Sequence, residues 1–113
     1  MKFTTNTSGK YTVIQAHVDM LDGASGPELK TIFVNLNKEG INQVILDLSS
    51  IKYCDSSGLS AILIGHRLCR DASGSFIICG LQNAVSKIIS IAQLDRVFNI
   101  KETVDSALSY TTV

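Results

Sequence analysis

Two short runs rich in Val, Ile and Leu, residues 43–48 and 75–79, have the composition of strands covered on both faces, and each follows a segment whose apolar residues recur at helical spacing. That alternation forces a layered solution, because every helix must lay its apolar stripe on a sheet of largely parallel strands. Ahead of them, residues 11–18 alternate Thr12, Ile14, Ala16 and Val18 with Tyr11, Val13, Gln15 and His17. This pattern predicts a strand with one wetter face, on which His17 is a surface side chain. After the turn-prone Asp22-Gly23-Ala24, Ser25 and Glu28 have the S-x-x-E spacing of a capping box. Leu29, Ile32, Phe33 and Leu36 then follow at helical spacing, and Gly40 is placed to end that helix.

A second helix is expected from residue 56 or 57 to 70, nearly uncharged until His66 and therefore largely buried, with Ala72-Ser73-Gly74 as the turn after it. A third, over residues 82–92, carries Val85, Ile88, Ile89 and Ala92 on one face. Residues 95–100 read as a last short strand, residues 103–110 as a terminal helix, and residues 2–5 as a strand that pairs antiparallel through a turn at Ser8-Gly9. The order implies a single α/β domain: a mixed, mostly parallel sheet of about four or five strands, about four helices and right-handed crossovers.

Composition narrows the partners. The 113 residues suit one core rather than two, since a chain of this size buries roughly 65% of its unfolded surface without help from a metal or disulfides. Ten Lys and Arg balance ten Asp and Glu, which removes the long-range field that draws a chain to nucleic acid or to an acidic membrane. No stretch approaches the ~18 consecutive apolar residues of a membrane span, and the N-terminal residues do not lead into a signal-peptide core. The expectation is a cytoplasmic protein. Cys54, Cys69 and Cys79 are odd in number and widely spaced, so they form neither a disulfide framework nor a CxxC pair, and Cys79 reads as a small buried side chain. His66 and Cys69 are three apart on one helix face without a second close pair, and Asp19 and Asp22 read as turn formers, so no metal is expected.

Ser57 sits between a strand and a helix, where nucleophiles often sit. A hydrolase elbow needs G-x-S-x-G, and Cys54-Asp55-Ser56-Ser57-Gly58 lacks the first glycine. His66 lies about 13 Å further along the same helix at ~1.5 Å per residue and cannot serve as its base. The glycines form neither GxxxxGK[ST] nor GxGxxG. What remains is a junction of three polar residues, Asp55, Ser56 and Ser57, before Gly58, which keeps the first turn open, and Leu59. A helix N-terminus has unpaired amides and about half a positive charge, so it accepts an added phosphate without disruption. A surface serine there suits a reversible covalent charge.

The run Val44-Ile45-Leu46-Asp47-Leu48-Ser49-Ser50-Ile51-Lys52-Tyr53-Cys54-Asp55-Ser56-Ser57-Gly58-Leu59 resembles the strand, loop and D-[ST]-[ST]-G-[LIVM] signature of STAS domains, in particular the bacterial anti-sigma factor antagonists. Asp22 falls where that family has an acidic residue, and Leu94-Asp95-Arg96-Val97-Phe98 looks like its segment after the third helix. The resemblance implies that Ser57, the second serine of D-S-S-G, is phosphorylated, and that Asp22, Asp55, Ser56, Ser57, Gly58 and Leu59 form the partner-binding surface.

By the same resemblance the unphosphorylated protein binds an anti-sigma factor that is also a serine kinase and so frees a sigma factor for transcription. Phosphate from ATP held by the partner breaks the complex, and a metal-dependent serine phosphatase resets it. The chain is then a substrate and a binding surface, not an enzyme, with no cofactor of its own. Nothing demands more than a monomer. Asp55 is expected to add repulsion and to orient the Ser57 hydroxyl. Tyr53-Cys54 departs from the Phe or Met that often precedes the Asp. The alternative is a STAS accessory subunit of a lipid or anion transport system that is not phosphorylated.

Overall fold

β4 (Gln43–Asp47) and β6 (Ser75–Cys79) lie side by side in parallel near the middle of a five-stranded sheet. The structure, a computed structural model, describes residues 2–109. β1 (Phe3–Ser8) and β2 (Tyr11–Ala16) form the expected antiparallel hairpin, and β2, β4, β6 and β7 (Asn99–Lys101) are all parallel, in the order β1-β2-β4-β6-β7. The parallel strands follow one another across the sheet in chain order. The sheet therefore lacks the reversal of strand order at which open α/β sheets form a ligand crevice.

Strand periodicity divides the core in two. On one face Ile14, Ala16, Val44, Leu46, Phe76 and Ile78 pack with Leu29 and Phe33 of α1 (Gly26–Lys38), Ala61, Ile62 and Cys69 of α2 (Ser56–Asp71), and Val85 and Ile89 of α3 (Asn83–Ile91). On the other, Tyr11, Val13, Ile45, Ile77 and Cys79 pack with Ala107 of α4 (Val104–Ser109). Each fully buried Ile or Leu contributes about 1.5–3 kcal/mol relative to an exposed one. No helix among the described residues is long and apolar enough to cross a membrane.

Several local expectations need correction. The face of β2 expected to be wetter is dry at Tyr11 and Val13, because α4 lies over it; Gln15 is half-buried and His17 exposed, and the strand ends at Ala16. The capping box does not form: Ser25 has no side-chain cap bond, and its hydroxyl instead donates to the Met20 carbonyl at 2.8 Å. α2 is buried along one stripe only, with Leu59, Leu63 and Ile64 half-exposed. On α3, Ile88 is half-exposed and Ala92 exposed. Residues 95–98 are not strand: Leu94–Arg96 is a single 3-10 turn entered through a left-handed Gln93, and pairing begins only at Asn99, opposite Ile77. Tyr110, expected in the last helix, lies outside the described residues.

Gly40 does end α1, at φ +79°, with the Ile41 amide donating to Leu36 and the Gly40 amide to Asn37, the paired bonds of a Schellman motif. Cys54, Cys69 and Cys79 are free, and all three are buried. Burial pushes their thiols up, to about 12, 11 and 12, with Asp55 and Asp47 adding to the first and last. The native protein should therefore leave a thiol reagent such as DTNB unconsumed at pH 8, while the denatured chain titrates all three. Rapid labelling in the native state would contradict this packing.

Candidate functional site

Two short strands invisible to pattern reading build the site. β3 (Met20–Leu21) and β5 (Tyr53–Cys54) pair in parallel, Met20 opposite Tyr53 and Leu21 opposite Cys54, as a separate ribbon. Alternation splits each pair: Leu21 and Cys54 are buried in the core, while Met20 and Tyr53 are each 46% exposed. The Lys52 amide donates to the Asp19 carbonyl at 2.6 Å, and the Asp55 amide to the Leu21 carbonyl at 3.1 Å. The ribbon thus straps the loop before α1 to the turn that opens α2.

Asp55 is the N-cap of α2. Its backbone is extended (φ −100°, ψ −171°), its Oδ1 accepts from the Gly58 amide at 3.0 Å, and its carbonyl accepts from Leu59 at 2.9 Å. Ser56 and Ser57 occupy the first two helical positions and both are exposed. Among the described residues their amides find no acceptor, as befits a first turn. Gly58 is buried and Leu59 half-buried. The reason for glycine at residue 58 differs from the expected open approach: a Cβ there would collide with the Leu21 carbonyl oxygen and lie 2.7 Å from Cys54 Sγ. Gly58 is fixed by the ribbon packed beneath it.

The loop before α1 reaches the same place. A Cβ on Gly23 would sit 4.0 Å from Ser57 Oγ, and one on Gly26 would sit 3.3 Å from the Ser57 carbonyl oxygen. Asp22 holds this loop in shape: its Oδ1 accepts from the amides of Ala24 at 3.0 Å and Ser25 at 3.2 Å, and its carbonyl accepts from Gly26 at 2.6 Å. The Ala24 bond above all, then that of Ser25, holds the Asp22 carboxyl below its ordinary 3.8. A group whose folded pKa is depressed stabilises above its unfolded pKa and loses that contribution as pH falls through the folded one. An NMR titration should therefore place the Asp22 midpoint below 3.8, with the Ala24 and Ser25 amide signals moving in parallel. A midpoint at or above that value would mean the loop is not closed as described.

The structure thus gathers Asp55, Ser56, Ser57, Gly58 and Leu59 with the Asp22 loop. Among the described residues both histidines are engaged away from Ser57. His66 packs edge-on against Phe76 and Phe98, ring centroids 6.3 and 5.7 Å away, and the exposed His17 meets Thr4 Oγ1 at 2.8 Å. Among the described residues no group of His, Cys, Asp and Glu side chains could hold a metal ion. The site offers an exposed hydroxyl on a helix N-terminus, flanked by a capping carboxylate and a glycine loop.

An α/β sheet with this strand order, carrying an Asp-Ser-Ser-Gly turn at the start of its second helix, defines a STAS domain. The family profile described as STAS domain matches residues 5–107, and the chain belongs to that family. Its relatives include a candidate anti-sigma factor antagonist of Thermotoga neapolitana, 29% identical over 79 residues, 70% of each chain. The solved anti-sigma factor antagonist from Mycobacterium paratuberculosis shares the fold with a TM-score of 0.84 at 20% identity, over 95% of this chain and 90% of that one. So does the Bacillus cell fate determinant SpoIIAA in its phosphorylated form, with a TM-score of 0.74 at 17% identity, over 95% and 96%.

Proposed function

We propose that this chain is an anti-sigma factor antagonist switched by phosphorylation of Ser57. The observation that carries the reading is the exposed Ser57 hydroxyl on the open first turn of α2, held by the Asp55 cap and bordered by Gly23. Its relatives' names support it, and SpoIIAA, a protein of this fold, has been solved both unphosphorylated and phosphorylated. In the unphosphorylated state the face around Ser57, with Asp22, Asp55, Ser56, Gly58 and Leu59, binds an anti-sigma factor serine kinase in the cytoplasm and frees a sigma factor. The kinase holds ATP; the Ser57 oxygen bonds to the γ-phosphorus, ADP leaves with the bridging oxygen, and the hydroxyl proton passes to a base of the kinase. A metal-dependent phosphatase restores the hydroxyl. The chain supplies no catalytic group and no cofactor, only substrate and surface.

The test is titration of the purified chain into the anti-sigma factor kinase of the same genome. Wild type should bind and then be released once ATP is added, whereas Ser57→Ala should stay bound. Release of both with ATP, or copurification with an ATP-binding cassette ATPase in place of a kinase, would contradict the reading and favour a transport accessory.

A further inference from the structure

α3 carries two apolar stripes where its core requires one. Val85 and Ile89 are buried, but Ala84, Ile88 and Ile91, at the i, i+4, i+7 spacing of a second stripe, border solvent, with Ile91 76% exposed. A single exposed isoleucine is ordinary. This one extends a surface that also presents Tyr53 on the ribbon, beside Met20. Between Tyr53 and α3 runs a groove of about 400 Å³ lined by Tyr53, Asn83, Ala84, Lys87 and Ile88.

Three residues lie between Tyr53 and Ser57, four steps of chain and a span of at most about 14 Å when extended, well inside one interface of roughly 800 Å² per partner. Charge is divided along this face. The groove is bordered by Lys87, with Lys52 next to Tyr53 in the chain, while Asp22 and Asp55 lie at the Ser57 end. A single lysine, Lys87, in the lining of an apolar groove matches a large apolar side chain with a carboxylate beside it. We infer that this groove is a second docking point for the anti-sigma factor serine kinase, receiving one such apolar side chain with an acidic neighbour that meets Lys87. The inference rests on the function proposed above. Cys54 turns inward to pack beneath Gly58, so Tyr53 alone of the Tyr53-Cys54 pair faces the partner. A hold at the groove leaves the Ser57 hydroxyl free for phosphoryl transfer.

Ala84→Trp fills the groove and leaves Ser57 untouched; Tyr53→Ala removes one wall. Both positions are solvent-exposed, and circular dichroism checks folding. Each variant should bind the kinase at least about tenfold more weakly and raise the KM for Ser57 phosphorylation with kcat unchanged. Wild-type affinity and KM in both variants, with the parent chain binding and phosphorylated normally, would overturn the groove alone. A parent chain that neither binds the kinase nor is phosphorylated by it would overturn the groove and the proposed function together.

Discussion

Phosphorylation of Ser57, or its mimicry by Ser57→Glu, is expected to weaken binding to the anti-sigma factor kinase by more than 100-fold while leaving the melting temperature almost unchanged. The two effects separate for a physical reason. The phosphate adds about −1.5 to −2 charges. In the free protein that charge stands in water at a helix N-terminus whose amides and dipole favour it. In a complex it would be buried beside the Asp55 carboxylate, and ~3 kcal/mol of unmatched desolvation is already more than 100-fold in affinity. Glutamate carries less charge and should show the smaller effect. Calorimetric titration with the kinase reads the first quantity and thermal denaturation the second. A modified protein that binds as before, or that melts much lower, would place the charge's effect elsewhere.

Gly58→Ala should be the most destabilising single-methyl change in the site. Its Cβ would meet the backbone carbonyl of Leu21, which the Asp55 amide already uses and which cannot retreat without breaking the ribbon. Overpacking of this kind costs typically 1–3 kcal/mol, occasionally more, against a total of about 5–15 kcal/mol for a domain. About 3 kcal/mol corresponds to a fall in Tm of roughly 10 °C for a chain near this length. Gly23→Ala is the control: nothing lies closer than 4.0 Å to its Cβ, and the change should stay within about 0.5 kcal/mol. Equal Tm values for the two variants would show that α2 does not bear on β3 as described.

The sheet was legible because Val44-Ile45-Leu46 and Phe76-Ile77-Ile78 carry strand composition whatever surrounds them, and Leu29, Ile32, Phe33 and Leu36 carry helical spacing. The covered face of β2 was not legible, since Tyr11 and Val13 are buried by a helix ninety-odd residues away, while Gln15 and His17 on the same face are the polar residues that suggest water. The Ser25 error has a local cause. Asp22 closes the turn before the helix by accepting from the Ala24 and Ser25 amides, and the Ser25 hydroxyl turns back to the Met20 carbonyl and the Asp22 amide instead of forward to the Glu28 amide. At the site, Ser57 as a surface hydroxyl at a helix N-terminus followed from residue type and position alone, whereas the role of Asp55 as the cap of that helix came from the structure. The β3-β5 ribbon did not, because two-residue strands have no period to read, although the buried Leu21 and Cys54 beside exposed Met20 and Tyr53 are its trace. With the ribbon missed, the true constraint on Gly58 was missed as well.

The central claim is that Ser57 is the residue on which the partner acts. Incubation with the anti-sigma factor kinase and ATP, followed by intact mass and fragment mapping, tests it most directly. The account predicts one added phosphate, on Ser57, and none on Ser57→Ala; phosphate on Ser56 or another residue, or no phosphate at all, would contradict it.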